Sequence, residues 1–275
     1  MATWDFNEPV LPPRHFYGKR DIGELWIGPG VREIGDYAFS GCKELRVLYL
    51  PQKEIKFGKK LFYHTTGIRQ IVFYPEELTE AGSLDMLVLS GSKKKRDLWA
   101  LLALLCTQME AEYLIRPTEI GTDGWFQAFD RRVRDILEEP EEAALRDLVY
   151  CAEEDMEEKQ EECLRMQDLR KTACALERLL HDTALEEQDR AHLESFISER
   201  GLGARYESAW KLAVREEDKS KDYCDILLAC GVINGENKTV YLQDLGDQNL
   251  PLKTYLMTEP GQGSEINSPW DFLDL

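Results

Sequence analysis

Apolar positions near the start of the chain recur at a fixed spacing of 23 residues. Ile22, Leu25, Ile27, the Ile34-Gly35 pair, the Ala38-Phe39 pair, Leu45, Leu48 and Leu50 each find their counterpart 23 residues on. Those counterparts are Leu45, Leu48, Leu50, Phe57-Gly58, Leu61-Phe62, Ile68, Ile71 and Phe73. A period of this length means stacked supersecondary units, each too small to bury its own apolar face. Leu25-Trp26-Ile27, Leu48-Tyr49-Leu50 and Ile71-Val72-Phe73 alternate as short strands with one face in a core. Val31 to Gly35 reads as a second extended piece, and Asp36 to Phe39 as a tight turn. Gly35 and Gly58 suit either permissive backbone angles or a close approach to the next coil. Phe16, Phe39 and Phe62 are 23 apart and predict an aromatic column, with residues 10 to 22 as an N-terminal half-coil cap. The pattern stops after Phe73, because the next register falls on Lys93-Lys94-Lys95.

From about Asp97 the period becomes helical. Leu98, Leu101, Leu102, Leu105 and Met109 form one stripe ending at Pro117. Trp125, Phe126, Phe129, Val133, Ile136 and Leu137 form the next, closed by Pro140. Residues 141 to 181 predict one long or two shorter helices, very polar, with Leu145, Leu148, Cys163, Leu164, Leu176 and Leu180 available for packing. A second echo has a spacing of 30: Leu180, Leu193, Phe196, Ile197 and Gly201 shift onto Trp210, Tyr223, Ile226, Leu227 and Gly231. Each copy reads as helix, charged turn, helix and glycine stop. Thr239 to Leu245 and Leu252 to Met257 complete a final hairpin.

The stretch Val31-x2-Ile34-Gly35-x2-Ala38-Phe39-x-Gly41-Cys42-x2-Leu45-x2-Leu48-x-Leu50-Pro51 resembles the leucine-rich repeats of the BspA, or treponemal, type. In the second copy Leu61 stands for the alanine and Thr65 for the cysteine, and Tyr74 follows the strand where a proline is usual. The resemblance covers roughly residues 12 to 75 and implies a solenoid used for binding and surface interaction. Ala209-Trp210-x-Leu212-Ala213 through Gly231 resembles a diverged ankyrin-type hairpin without the Thr-Pro-Leu-His signature. A plain helical bundle accounts for the same pattern.

The formal charge of −18 is unevenly spread, with 18 acidic and 8 basic side chains between residues 141 and 200. Such a surface repels phosphate backbones and anionic membranes, which argues against nucleic-acid and membrane partners. The basic run Lys93-Lys94-Lys95-Arg96 reads as a solvated loop before a helix. Seven cysteines, at 42, 106, 151, 163, 174, 224 and 230, include no CxxC pair and suit reduced thiols. The first 25 residues lack the apolar segment of a signal peptide, and Leu98 to Cys106 falls far short of the ~20 residues that span a bilayer. These features predict a cytoplasmic protein of bacterial type, although many proteins of the BspA type are exported.

Residues suited to catalysis are sparse. His15, His64, His181 and His192 never take a metal-binding spacing, and the glutamates belong to an acidic face. There is no GxSxG, Walker loop or GxGxxG. Gly121-Thr122-Asp123-Gly124 reads as a turn in which Thr122 or Asp123 caps the following helix. No catalytic residue, metal ligand or cofactor is expected.

The sequence thus predicts an α+β protein: a leucine-rich-repeat solenoid of two and a half coils over residues 1–80, an all-helical domain over 81–257 and an acidic-aromatic tail over 258–275. Its predicted function is protein–protein interaction. The candidate binding column is Trp26, Tyr49 and Val72 on the outward strand face, with Val47 and Tyr74 beside it. Either this face is open, or the helical domain covers it. Trp270 and Phe272 in the tail either dock on another protein or fold back into this one. The rival readings are an enzyme with its site at the junction of the two domains and a secreted adhesin-like protein.

Overall fold

The computed structural model describes residues 2–65, 67–75, 92–116, 119–145, 156–216, 219–246 and 249–258. The N-terminal part is a coil of short strands: β1 (Ala2–Phe6), β2 (Val10–Leu11), β3 (Ile22–Ile27), β4 (Glu33–Ile34), β5 (Val47–Pro51), β6 (Lys56–Phe57) and β7 (Gln70–Tyr74). They form two parallel sheets, ordered β1-β3-β5-β7 and β2-β4-β6. Pairs such as Leu25↔Leu48, Leu48↔Ile71 and Ile34↔Phe57 hold the 23-residue register.

The sequence pattern missed one coil. Instead of a half-coil cap, the N-terminus supplies a complete first turn, with β1 paired to β3 and β2 to β4. Phe6 pairs with Ile27, a step of 21, because the connection from Phe6 to Val10 is two residues shorter than that from Ile27 to Glu33. The shortened link breaks the period and hides β1 from it. Asn7 in that link accepts the Gly30 N–H at 2.7 Å, so close that a Cβ at Gly28 would lie 2.3 Å from its side chain.

Inside the solenoid Ile22, Leu25, Ile27, Leu45, Leu48, Leu50, Ile68 and Ile71 are buried, and Phe73 is half-buried. Phe16, Phe39 and Phe62 stack with centroids 6.3 and 5.3 Å apart, forming the expected column. Gly35 and Gly58 mark close approach: an added Cβ would sit 2.5 Å from the backbone nitrogen of Pro13 or Asp36 in the preceding coil. Cys42 donates its thiol to the Phe16 carbonyl at 2.9 Å, and Thr65 makes the equivalent bond to Phe39 at 2.6 Å. The threonine therefore replaces the cysteine without loss of the contact.

After β7 come α1 (Lys93–Thr107), a 3-10 turn (Glu112–Leu114) and α2 (Asp123–Leu137). Ser92 caps α1, and the basic run expected in a loop is the exposed first turn of this helix. Its second half is buried on nearly all sides, from Trp99 through Leu101 to Cys106. Thr122 caps α2 by accepting the Trp125 N–H at 3.3 Å, as anticipated. The Trp125 indole then donates to the Leu114 carbonyl at 2.9 Å, which fixes the helix to the 3-10 turn.

These helices belong with the solenoid. One compact unit comprises residues 1–138 together with 181–185, so the chain does not divide at residue 80. The returning segment is held by Asp97, which is buried on α1. Its carboxylate accepts from Thr183 Oγ1 at 2.5 Å and Lys93 Nζ at 3.0 Å, and lies 3.3 Å from His181 Nδ1. Burial alone would raise this carboxyl, but the hydrogen bonds from Thr183, Lys93 and His181 outweigh it and hold it below its ordinary value.

The second unit, residues 139–180 and 186–275, has helices and no strand among its described residues. It contains α3 (Glu141–Ala144), α4 (Met156–Leu180), α5 (Glu187–Ser198), α6 (Ser208–Arg215), α7 (Ser220–Ala229), α8 (Lys238–Leu245) and α9 (Leu250–Thr258). The 30-residue echo corresponds to the hairpins α4–α5 and α6–α7, with α8–α9 as a third. Polar groups join them: Asp168 accepts from Ser208 at 2.5 Å and Arg200 at 3.1 Å, and Glu177 from Tyr223 at 2.5 Å and from Lys219. Trp210, almost fully buried, donates to Asp244 at 2.6 Å.

Candidate interaction surface

The strand-face column proves to be core. Trp26 and Tyr49 are each 4% exposed, Val72 and Tyr74 are fully buried, and Val47 is half-buried beside them. Trp99 of α1 completes the cluster. Trp26 and Tyr74 stack at 5.9 Å, and the Tyr74 hydroxyl donates to the Ile27 carbonyl at 2.6 Å. Burial pushes that phenol well above its usual range. The reading of an open face is therefore corrected. The sheet is parallel, and parallel sheets are normally covered on both faces. Trp270 and Phe272 lie outside the described residues.

What the solenoid does display lies at its turns. Arg14, Tyr37 and Lys60 occupy one repeat position, at successive steps of 23, and all three take the left-handed backbone, with φ of 58°, 56° and 51°. Gly18, Gly41 and His64 form a second such column, with φ of 68°, 73° and 57°. The turns are tied coil to coil by backbone bonds, Arg14 N–H to Asp36 at 2.9 Å and Tyr37 N–H to Lys59 at 3.0 Å. They form a third ladder beside the two sheets. A non-glycine residue in this region costs roughly 1 kcal/mol, and here it recurs at four positions.

The side chains on this ladder interlock. Arg14 lies over the Tyr37 ring at 5.6 Å and the Tyr17 ring at 6.0 Å. Lys60 lies over Tyr63 at 5.1 Å, Tyr63 meets Tyr37 edge-on at 6.4 Å, and His64 sits 4.0 Å from Tyr63. Tyr17 is 58% and Tyr63 44% exposed. Asp36 is committed to the turn itself, accepting the Lys59 N–H at 2.8 Å. The charge here opposes that of the whole chain: residues 1–75 carry 11 Lys and Arg against 8 Asp and Glu, the remaining residues 23 against 44.

This surface is hard to see in the sequence because its residues differ in type: Arg14, Tyr37 and Lys60 share a position but not a chemistry. The signal was present in the period, since each is 23 from the next.

A family model described as a BspA type leucine rich repeat region (6 copies) matches residues 10–84. The N-terminal region is a BspA-type leucine-rich repeat. No curated protein and no solved structure matches the chain. The BspA-type match lies wholly in the first unit and does not reach the helical hairpins, so the ankyrin likeness gains nothing from it. The described part of the repeat holds three coils and a fourth long strand.

Elsewhere, His15 packs against Phe6 and Phe16 at 5.2 and 4.7 Å, and His192 is exposed. No group of His, Cys, Asp or Glu suited to a metal ion occurs among the described residues. Burial raises the thiols of Cys42 and Cys230 to about 11 and of Cys224 to about 12, which removes their nucleophilicity near neutral pH. Burial also raises the Glu112 carboxyl on the 3-10 turn. No described helix is long and apolar enough to cross a membrane.

Proposed function

We propose that the chain is a protein-binding module that works without chemical turnover and engages its partner through the outer turns of the BspA-type repeat. The observation that carries this reading is the left-handed ladder, which sets Arg14, Tyr37 and Lys60 in register with Tyr17 and Tyr63 on the surface. Tyrosine and arginine are the residues that most often dominate interface energy. Their mutual packing fixes their rotamers, which lowers the entropy lost when a partner docks. The family's usual employment as an interaction scaffold points the same way. The acidic remainder of the chain disfavours nucleic acid and anionic membranes as partners. The thiols of Cys42, Cys106, Cys163, Cys224 and Cys230 are not joined in disulfides, which supports a reducing, cytoplasmic setting.

Affinity purification of the intact chain from its native cells tests the reading, beside an Arg14→Asn/Lys60→Asn variant. Asparagine tolerates the left-handed backbone, so the variant removes charge without adding strain. The expected result is a folded variant that no longer recovers the main partner. An unchanged partner set would exclude the outer turns.

A further inference from the structure

The chemistry of the same surface says what it binds. We propose that the outer turns dock an acidic segment of a partner protein, its carboxylates set against Arg14 and Lys60 and its backbone and apolar groups against the tyrosine rings. The inference rests on the binding-module reading and adds the partner's chemistry. Neither cation takes part in an ion pair among the described residues, in a chain with 52 acidic side chains. Arg14 and Lys60 are left facing solvent, each held over a ring, while the nearby Lys56 is already paired with Glu33 at 3.0 Å. A cation held over an aromatic face keeps its outer hydrogen-bond donors available.

Spacing favours a peptide. Coils follow one another at about 4.8 Å, so two steps separate Arg14 and Lys60 by about 10 Å. Carboxylates three residues apart on an extended polyproline-like segment present the same interval on one face, at ~3.1 Å per residue. Tyrosine-lined surfaces suit that conformation. A duplex would bring one charge per ~1.7 Å and would meet the repulsion of the 44 acidic side chains beyond residue 75. A short acidic segment brings only the few charges that the ladder can match.

The test uses the intact chain and a fluorescent 15-residue peptide with Glu at every third position among Pro, Leu and Ser, followed by anisotropy. Its Glu→Gln counterpart and a 12-base-pair DNA duplex serve as rival probes. Binding of the acidic peptide is expected to weaken at least tenfold in Arg14→Asn/Lys60→Asn. It should weaken as much again for the Gln peptide, and also between 50 and 200 mM salt (~fourfold in ionic strength). Tyr17→Ser/Tyr63→Ser should weaken it with the charges intact, and Lys211→Ala, in the second unit, should leave it unchanged. Circular dichroism verifies that each variant is folded, and the Gln peptide tests the charge requirement on the unaltered chain. Equal binding of the Gln peptide, or DNA binding that depends on Arg14 and Lys60, would overturn the inference. If the cellular partner is lost with Arg14→Asn/Lys60→Asn while the acidic peptide never binds, the inference fails and the binding-module reading survives. If neither responds to the variant, both fail.

Discussion

Trp26 shows how one residue's role turns on a neighbour far away in sequence. On strand β3 it points away from the solenoid core, and alternation alone places it on the surface. Trp99, 73 residues later, covers it. Trp26→Ala, or Trp99→Ala, is therefore expected to destabilise the first unit by about 3–5 kcal/mol, the usual cost of truncating a buried tryptophan. Chemical denaturation measures it; a loss below about 1 kcal/mol would mean the indole is not packed as described. Asp97 is the second residue whose role depends on distant chain. Its folded carboxyl titrates below the ordinary 3.8, so the unfolded chain takes up the proton first as pH falls. The stability it contributes is complete above that value and disappears as pH drops through the folded pKa. Asp97→Asn should lower stability at pH 7 by about 1–2 kcal/mol and flatten the acid limb of the stability curve. Thermal melts from pH 7 down to pH 3 would reveal both effects (~4 units, the window set by the carboxylate range).

Among elements, the BspA-type coils were the most legible. Local composition and the 23-residue period specify strand, turn and stacked Phe16-Phe39-Phe62 together, because each coil repeats the environment of the last. The first coil escaped notice for the same reason: its link is two residues short, so β1 carries no echo at that step. Gly58 illustrates what the period enforces. Alanine there would place its Cβ 2.5 Å from the Asp36 nitrogen, and backbone cannot retreat as a side-chain tip does. Gly58→Ala is expected to cost more than about 2 kcal/mol, measured by urea denaturation. His64 gives the opposite case. It holds a left-handed position occupied by glycine in the two preceding coils, so His64→Gly should be neutral or stabilising by up to about 1 kcal/mol in the same assay. In the helical unit, the two hairpins follow from the 30-residue echo, but the glycine stops differ in cause. Gly231 has φ of 71°, whereas Gly201 leaves room for the Tyr241 hydroxyl, which accepts the Leu202 N–H at 2.9 Å.

For the whole molecule, the compact units cut across the boundary that composition suggests. A fragment ending at residue 80 would expose Trp26, Tyr49, Val72 and Tyr74 together, a patch of the kind that drives aggregation. Such a fragment is expected to bind a hydrophobic dye and self-associate, while the intact chain does neither; light scattering and dye fluorescence compare them. The separation of charge between the two ends of the sequence was legible from composition. Its use was not, because Arg14, Tyr37 and Lys60 acquire a common meaning only when stacked. The sequence by itself determined the coil, its core and the helical hairpins, since these depend on neighbours at fixed short intervals. Only the tertiary structure decided which face stays open. Burial of the sheet under Trp99, and display of the left-handed turns, depend on packing between segments that no local period connects.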